Sequence, residues 1–369
     1  FPAVAVAEAL HAIADVEVVF CGTSRGVEAR VIPAQGWRLE LVEGSPIKGG
    51  GLALAVRGGL VAARATLKAA GLVRRLRPRV VLGVGGYAAG PVSLAAALLG
   101  VPIAVLEPNS VVGLANRLLA PFAKRAYLAW EDSARPFRSR ARRVYGVPLR
   151  RGFSPQPYVA GSTARVLIIG GSQGAAALNE RMPGAIARLL PHVPGVEVIH
   201  QAGRDREHDV RRRYASEGVA RVTVVAFIED VARAIAEADL VVARAGAVTL
   251  AELTAIGRAS VLVPFPFAAD DHQASNASAL ARAAGAVCVR QEAADSVRLA
   301  AEIRRLLEDG PARTAMADAA RARGKPNATR DLAVDLLTLA GVPRREAGKQ
   351  NGTGSVSLLS PRMGAGGQA

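Results

Sequence analysis

Cysteine is nearly absent: Cys21 and Cys288 are the only two among 369 residues. Each lies in an apolar stretch, and neither has a second cysteine or a histidine at metal-ligand spacing. A disulfide framework and a cysteine metal site are thereby excluded, and burial as small hydrophobes is the plainer reading. Half the residues are hydrophobic, yet no uninterrupted apolar run is long enough to cross a bilayer. The chain does not open with a charged-then-apolar export signal. Acidic residues are in deficit, 31 against 47 basic ones, which leaves a net charge of +16. That excess points to a polyanionic partner such as nucleic acid, anionic lipid or a phosphorylated substrate, with a coding bias toward arginine as the competing explanation. The acidic pairs Asp270-Asp271 and Glu229-Asp230 lack the D-x-D spacing that chelates a cation on a diphosphate, and adjacent side chains diverge. No metal and no resident cofactor is expected.

Short β-rich runs do recur, each followed by a Gly-containing turn and an alanine-rich helical stretch. "VEVVF", "RVVLGVGG", "PIAVLE", "RVLIIGG", "VEVIH", "VTVVAF", "DLVVARAG" and "ASVLVPF" are largely apolar, as parallel strands covered on both faces must be. The pattern predicts an α/β protein with two doubly wound, Rossmann-like parallel sheets facing a cleft. "YGVPLRRGFSPQPYVAGST", from Tyr145 to Thr163, is the best linker. It divides residues 1–149 from 150–326. An amphipathic helix at 327–341 follows, then a Gly- and Ser-rich tail at 342–369 that is expected to be disordered. "FPAVAVAEAL" is already helical, with Pro2 in the first turn, where its missing N–H costs nothing. A strand and glycine loop normally precede such a helix, so the chain is expected to begin inside its first domain.

Three turns carry candidate chemistry. In "VLIIGGSQGAAALNE" a strand passes through Gly170-Gly171-Ser172-Gln173-Gly174 into a helix, where glycines admit a ligand to the backbone and free N–H groups favour an anion. No Gly-Lys-Ser/Thr follows, so this is not a Walker loop. A plain β-α turn tightened by glycine has the same sequence. Gly83-Val84-Gly85-Gly86-Tyr87-Ala88 fits a permissive dinucleotide fingerprint with Glu107 near the position of its acid. Pro91 at the helix start and the continuation "EPN" through Asn109 argue against a nicotinamide site. "DLVVARAGAVTLAEL" places Arg244 at a strand end and Thr249 and Glu252 in the first turns of a helix. Backbone N–H groups and Thr249 suit a diphosphate, Arg244 adds a charge-assisted bond, and Glu252 suits the two hydroxyls of a ribose. An ordinary capped helix start is the alternative.

Taken in order, "GGYAAGP", "EPNSVVGLANR", "GVPLR", "GGSQGA", "RAGAVTLAEL" and "DDHQASNA" resemble the MurG family of N-acetylglucosaminyltransferases, over Phe1 to Gly341. The resemblance implies a two-domain GT-B fold and an inverting, metal-independent transfer from UDP-N-acetylglucosamine to lipid I, undecaprenyl-pyrophosphoryl-MurNAc-pentapeptide, giving lipid II for peptidoglycan. It implies donor contacts at Asn109, Arg150, Ser172, Ile228, Ala247, Val248, Thr249, Leu250, Ala251, Glu252 and Gln273, beside Arg244. Gly86, Tyr87 and Glu107 fall on the acceptor side. It further implies a peripheral enzyme on the cytoplasmic face of the inner membrane, with no nucleic-acid partner and with other cell-wall synthesis proteins as possible company. "GGGLALAVRGGLVAARATLKAAGLVRRLRPR", with Arg57, Arg64, Lys68, Arg74, Arg75, Arg77 and Arg79, is the basic amphipathic stretch suited to an anionic lipid surface. Two departures stand out. Val147 replaces the family's Asn in "GVPLR", and the family's "GGTGGH" loop, with its candidate base histidine, has no counterpart after Phe1. On that reading Glu107 is the one base candidate left and turnover is poor. Another GT-B lipid glycosyltransferase, a UDP-sugar epimerase and a non-catalytic scaffold of the wall-synthesis complex are the rival readings.

Overall fold

The computed structural model describes residues 2–24, 26–42, 52–86, 88–161, 163–171 and 173–345, and of residues 52–60 the backbone alone. The tail expected to be disordered lies outside the described residues from 346 onward. The first half runs α1 (Pro2–Ile13), β1 (Val19–Gly22), α2 (Glu28–Ala34), β2 (Arg38–Leu41), α3 (Leu52–Leu76), β3 (Val81–Gly83) and α4 (Ala89–Leu98). It continues through β4 (Ile103–Glu107), α5 (Leu114–Leu119), β5 (Arg125–Leu128) and β6 (Arg142–Arg143). β1 and β2 pair in parallel, and β3-β4-β5-β6 form a separate parallel sheet. α4 packs against both β1 and β3.

The second half runs β7 (Arg165–Ile169), α6 (Ala176–Leu189), β8 (Glu197–Gln201), α7 (Glu207–Ser216), β9 (Val222–Val225), α8 (Val231–Glu237) and β10 (Leu240–Ala243). Then come α9 (Ala247–Ile256), β11 (Ser260–Leu262), α10 (His272–Arg282), β12 (Val287–Cys288), α11 (Ser296–Glu308), α12 (Gly310–Arg323) and α13 (Ala328–Ala340). Its sheet has the order β12-β11-β10-β7-β8-β9, all parallel.

Strands that are apolar on both faces fill a core on each side of their sheet. Val166 and Ile168 of β7, with Leu240 and Val242 of β10, face the cluster that contains Leu178, Met182 and Ile186 of α6 and Leu299 and Ile303 of α11. Their alternates, Leu167, Ile169, Val241 and Ala243, face Ile235 of α8, Leu250 and Leu253 of α9 and Leu280 of α10. β4 divides in the same way, with Ile103 and Val105 toward α3 and α4 and Ala104 and Leu106 toward α1 and α13.

The terminal helix thus belongs to the first half's core. Leu332, Leu336 and Leu337 of α13 are buried against Val6 and Leu10 of α1, each worth about 2 kcal/mol in apolar burial. Asp335 fixes the register: it accepts from Arg125 Nε at 2.8 Å and from the Tyr127 hydroxyl at 3.0 Å. Gly341, in the left-handed region at φ +63°, ends the helix.

Chain order in the second sheet decides where a ligand goes. The chain runs outward from β7 through β8 and β9, then returns to lay β10 on the other side of β7. Such a switch point opens a crevice at the carboxyl ends of the strands. It puts the glycine turn after β7 beside the turn that leads into α9.

Candidate functional site

Backbone contacts at close range build the glycine turn. Gly170 N–H donates to Gln201 O at 3.2 Å, and Gly174, at φ +74°, passes so near the Ala202 carbonyl that a Cβ would sit 2.0 Å from its oxygen. Only glycine satisfies both conditions. Behind the turn lies a buried polar chain that sequence reasoning missed. Asn179 Nδ2 donates to Ala202 O at 2.9 Å, leaving its Oδ1 to accept from His200 Nε2 at 3.1 Å. His200 Nδ1 therefore accepts from the Tyr214 hydroxyl at 3.0 Å. Burial drives the His200 pKa down to about 3, so the ring is neutral. The signal was "VEVIHQAG", a polar pair at the end of an apolar strand. Ser172, the turn's candidate contact, lies outside the described residues.

Across the crevice, Gly246 is the extended N-cap of α9, and no side chain caps the helix. Ala247, Val248 and Thr249 of its first turn are half-exposed, and the N–H groups of a helix start carry partial positive charge. Glu252 is half-buried one turn on. Burial raises its carboxyl to about 7, against the opposing pull of the Arg150 guanidinium. Arg150 also lies over the Phe153 ring, 5.7 Å from its centroid. Ile228 packs on the cluster that includes Phe153. Arg150 thus lies near Glu252, and Phe153 and Ile228 belong to the cluster shared by α8 and α9.

Three of the expected site residues are already engaged within the chain. Leu250 is core, 1% exposed, and its N–H is spent on Gly246 O at 3.0 Å, so its amide is not free to hold a ligand. Ala251 and Leu250 instead line a cavity of about 350 Å³ between the halves, with Trp130, Val147 and Arg323. Arg244 is held by Val263 O at 3.0 Å, Pro264 O at 3.2 Å and Gln291 Oε1 at 2.7 Å, and it stacks on Phe265. Burial and the Arg181 charge lower its pKa. It shapes the loop after β11, and a charge-assisted bond to a ligand would cost it those contacts. Gln273 Oε1 accepts from Phe265 N–H at 3.1 Å, which leaves its amide nitrogen for other work.

Glu107 is the third. It is 2% exposed, and both its oxygens are occupied. Oε1 accepts from Asn109 N–H at 3.1 Å and Asn109 Nδ2 at 3.4 Å. Oε2 accepts from Gly113 N–H and Asn116 Nδ2, both at 2.9 Å. A carboxylate so engaged organises the loop at 107–113 and is not poised to take a proton from a substrate. That loop touches the second half directly, where Asn276 Nδ2 of α10 donates to Asn109 Oδ1 at 3.2 Å. Asn109 therefore stands at the line between the two halves, half-buried. Gly86 has φ +82° at the end of β3; Tyr87 lies outside the described residues. Among the described residues no group of three His, Cys, Asp or Glu side chains is placed to hold a metal ion.

Comparison with known proteins agrees across both halves. Residues 1–128 match the glycosyltransferase family 28 N-terminal domain and residues 165–333 the family 28 C-terminal domain. A protein of Sorangium cellulosum named UDP-N-acetylglucosamine--N-acetylmuramyl-(pentapeptide) pyrophosphoryl-undecaprenol N-acetylglucosamine transferase is 53% identical over 94% of this chain and 87% of its own length. A protein of the same name from Pseudomonas fluorescens is 42% identical, over 92% of this chain and 95% of its own. Among solved structures, Acinetobacter baumannii MurG superposes with a TM-score of 0.76 at 34% identity, covering 92% of this chain and 95% of that one. A UDP-GlcNAc 2-epimerase from Neisseria meningitidis bound to UDP-GlcNAc, 13% identical with a TM-score of 0.62 over 90% and 95% of the two chains, shares the fold alone.

Proposed function

The chain belongs to glycosyltransferase family 28, and from that premise we propose that it transfers N-acetylglucosamine from UDP-N-acetylglucosamine to undecaprenyl-pyrophosphoryl N-acetylmuramyl pentapeptide. The observation that carries the proposal is the 53% identity with a transferase of that name across both halves. The geometry gives it a mechanism. We take residues 1–149 with α13 as the acceptor half and 150–326 as the nucleotide-sugar half.

UDP lies across the switch point of the second sheet. Its diphosphate meets the N–H groups of the glycine turn and of the uncapped α9, with Thr249 adding a hydroxyl. Glu252 receives the ribose hydroxyls, and Arg150 and Ile228 flank the base. As the sugar leaves, negative charge grows on the diphosphate, and oriented N–H dipoles stabilise it without reorganising. Such preorganised donors contribute about 3 kcal/mol each to a transition state. The muramyl hydroxyl attacks the anomeric carbon from the opposite side as the bond to the diphosphate oxygen breaks, so the α-linked donor yields a β-linked product and UDP, and the hydroxyl proton is released to solvent. Ala247, Val248, Gln273 and Asn109 line the sugar's side of this pocket, with Gly86 and the Glu107 loop on the acceptor's.

The lipid acceptor requires a membrane surface, and the first half has one to offer. Leu67 of α3 is 74% exposed and Leu118 of α5 67% exposed, with Leu114 and Phe122 also outward. Both helices pack against α4, and Arg64, Arg74 and Arg117 lie on them. Exposed leucines among arginines suit an anionic leaflet, at about 1 kcal/mol per basic residue near the surface. No helix of the described residues is long and apolar enough to cross a membrane. The enzyme docks peripherally on the cytoplasmic face, where other wall-synthesis proteins act.

Incubation of the chain with radiolabelled UDP-N-acetylglucosamine and the lipid acceptor in anionic vesicles tests the proposal. Transfer of label to the lipid, undiminished by EDTA, is expected. Label released only as free sugar, or an absolute need for magnesium, contradicts it.

A further inference from the structure

Asn276 lies in α10 and is 0% exposed, yet three of its four hydrogen bonds leave its own domain. Its Oδ1 accepts from the N–H and from the hydroxyl of Ser110, both at 2.9 Å, and Ser110 Oγ also meets Ser275 Oγ at 2.9 Å. Its Nδ2 donates to Asn109 Oδ1 at 3.2 Å and, at the limit of reach, to Ala245 O at 3.5 Å. A backbone N–H can only donate, so Ser110 fixes which way round the Asn276 amide sits. Asn109 is fixed too. Its Nδ2 is drawn to Glu107 Oε1 at 3.4 Å, which turns its Oδ1 toward Asn276. The outcome is a directed chain from Glu107 through Asn109 and Asn276 to Ala245, two residues before α9.

We propose that Asn276 is a positioning residue for sugar recognition: it holds the Asn109 amide in one orientation over the cleft and makes that orientation conditional on the two domains being docked. The proposal rests on the reading of the α9 turn as a UDP-sugar cradle. Asn109 is half-buried. One hydrogen of its Nδ2 and one lone pair of its Oδ1 remain uncommitted in this chain, enough to meet a ring hydroxyl or an acetamido group on a sugar held at α9. Without Asn276 the Asn109 amide loses its anchor on the nucleotide side and rotates, and the Ser110 N–H loses its acceptor while the Ser110 hydroxyl keeps Ser275. A sugar bound at the cradle then meets no fixed partner from the acceptor domain, while the nucleotide keeps all of its contacts.

Calorimetric titration of the full chain with UDP and with UDP-N-acetylglucosamine tests this, comparing the parent with Asn276→Ala, Ser110→Ala, Asn109→Ala and the Asn109→Ala/Asn276→Ala double variant. Asn276→Ala should keep UDP affinity within about twofold and weaken UDP-N-acetylglucosamine about three- to tenfold, the range of one neutral hydrogen bond. The double variant should bind the sugar nucleotide no more weakly than Asn109→Ala alone, because the two amides act as a unit. Ser110→Ala keeps both amides and removes the hydroxyl that meets Asn276 and Ser275 across the domains; it should shift the ratio in the same direction by about twofold and carries the test if Asn276→Ala does not fold. Equal loss for both ligands, or an unchanged ratio, leaves Asn276 with a merely structural role and overturns the proposal. If the parent binds neither ligand, the cradle reading fails and this inference falls with it; if the parent binds both and the ratio stays fixed, only this inference fails.

Discussion

Glu252 offers the sharpest handle on the cradle, because its carboxyl is raised from the ordinary 4.5 to about 7 by burial. A ribose diol donates two hydrogen bonds, and an ionised carboxylate accepts both, whereas the protonated form must spend one oxygen as a donor. If only the ionised form binds, the apparent Kd carries the factor 1 + 10^(pKa − pH). With a pKa of about 7, that factor is close to 1 at pH 8 and about 11 at pH 6, so affinity should fall roughly tenfold, or about 1.4 kcal/mol, across that range. The assay is calorimetry with UDP-N-acetylglucosamine, whose two phosphates are diesters and do not titrate there. Glu252→Gln removes the titrating group, so its affinity should be lower at pH 8 and flat from pH 6 to 8. Stability runs the other way. A carboxyl whose pKa is raised by folding favours the native state fully below about 4.5 and loses that contribution as pH rises through about 7. Glu252→Gln should therefore stabilise the native state at pH 8 by at most about 3 kcal/mol, read as a higher melting temperature. A flat profile in the parent, or the same slope in Glu252→Gln, would refute the assignment of Glu252 to the ribose.

Gly174→Ala should displace the glycine turn, since its Cβ would meet the Ala202 carbonyl at 2.0 Å in a left-handed conformation; UDP-N-acetylglucosamine affinity should drop more than about tenfold, and near-parental calorimetric affinity would count against the turn as a phosphate cradle. His200, whose pKa burial lowers to about 3, destabilises the native state as pH falls from 6.5 toward 3, because the unfolded ring takes a proton that the buried one refuses. Urea melts of His200→Gln between pH 7 and pH 4 should show a shallower loss than the parent, and parallel curves would contradict this. Asp335→Ala strips Arg125 and Tyr127 of their shared acceptor and should cost about 2 kcal/mol, read as a lower denaturation midpoint with faster proteolysis after α13.

The α/β class and the division into two parallel-sheet halves were legible because buried parallel strands must be apolar on both faces, and "RVLII", "LVVA" and "IAVLE" largely are; that β1 and β2 pair apart from β3 to β6 was not. β2, β5, β6 and β12 were not. "RLEL" alternates with charge, "RAYL" is four residues beside a basic turn, and β6 and β12 are two-residue bridges that no local pattern distinguishes from loop. At the site, the α9 turn could be read from Gly, Thr and Glu at helical spacing, because helix periodicity fixes which residues share a face. The roles of Arg244, Glu107 and Leu250 could not, since each depends on which distant carbonyl or amide the fold brings within reach. Val263, Gln291 and Gly113 give no hint in sequence that they will occupy those side chains. The same holds for His200 and Asn276: a buried polar residue announces itself only once the apolar surroundings that enclose it are known.

The central claim is that two opposed domains grip a nucleotide sugar through its diphosphate with helix and loop amides. Calorimetry of the chain with UDP-N-acetylglucosamine at pH 8, in EDTA and then with added magnesium, tests it most directly. The account expects binding of one equivalent with the same affinity in both buffers; no heat in either, or heat only when magnesium is supplied, would contradict it.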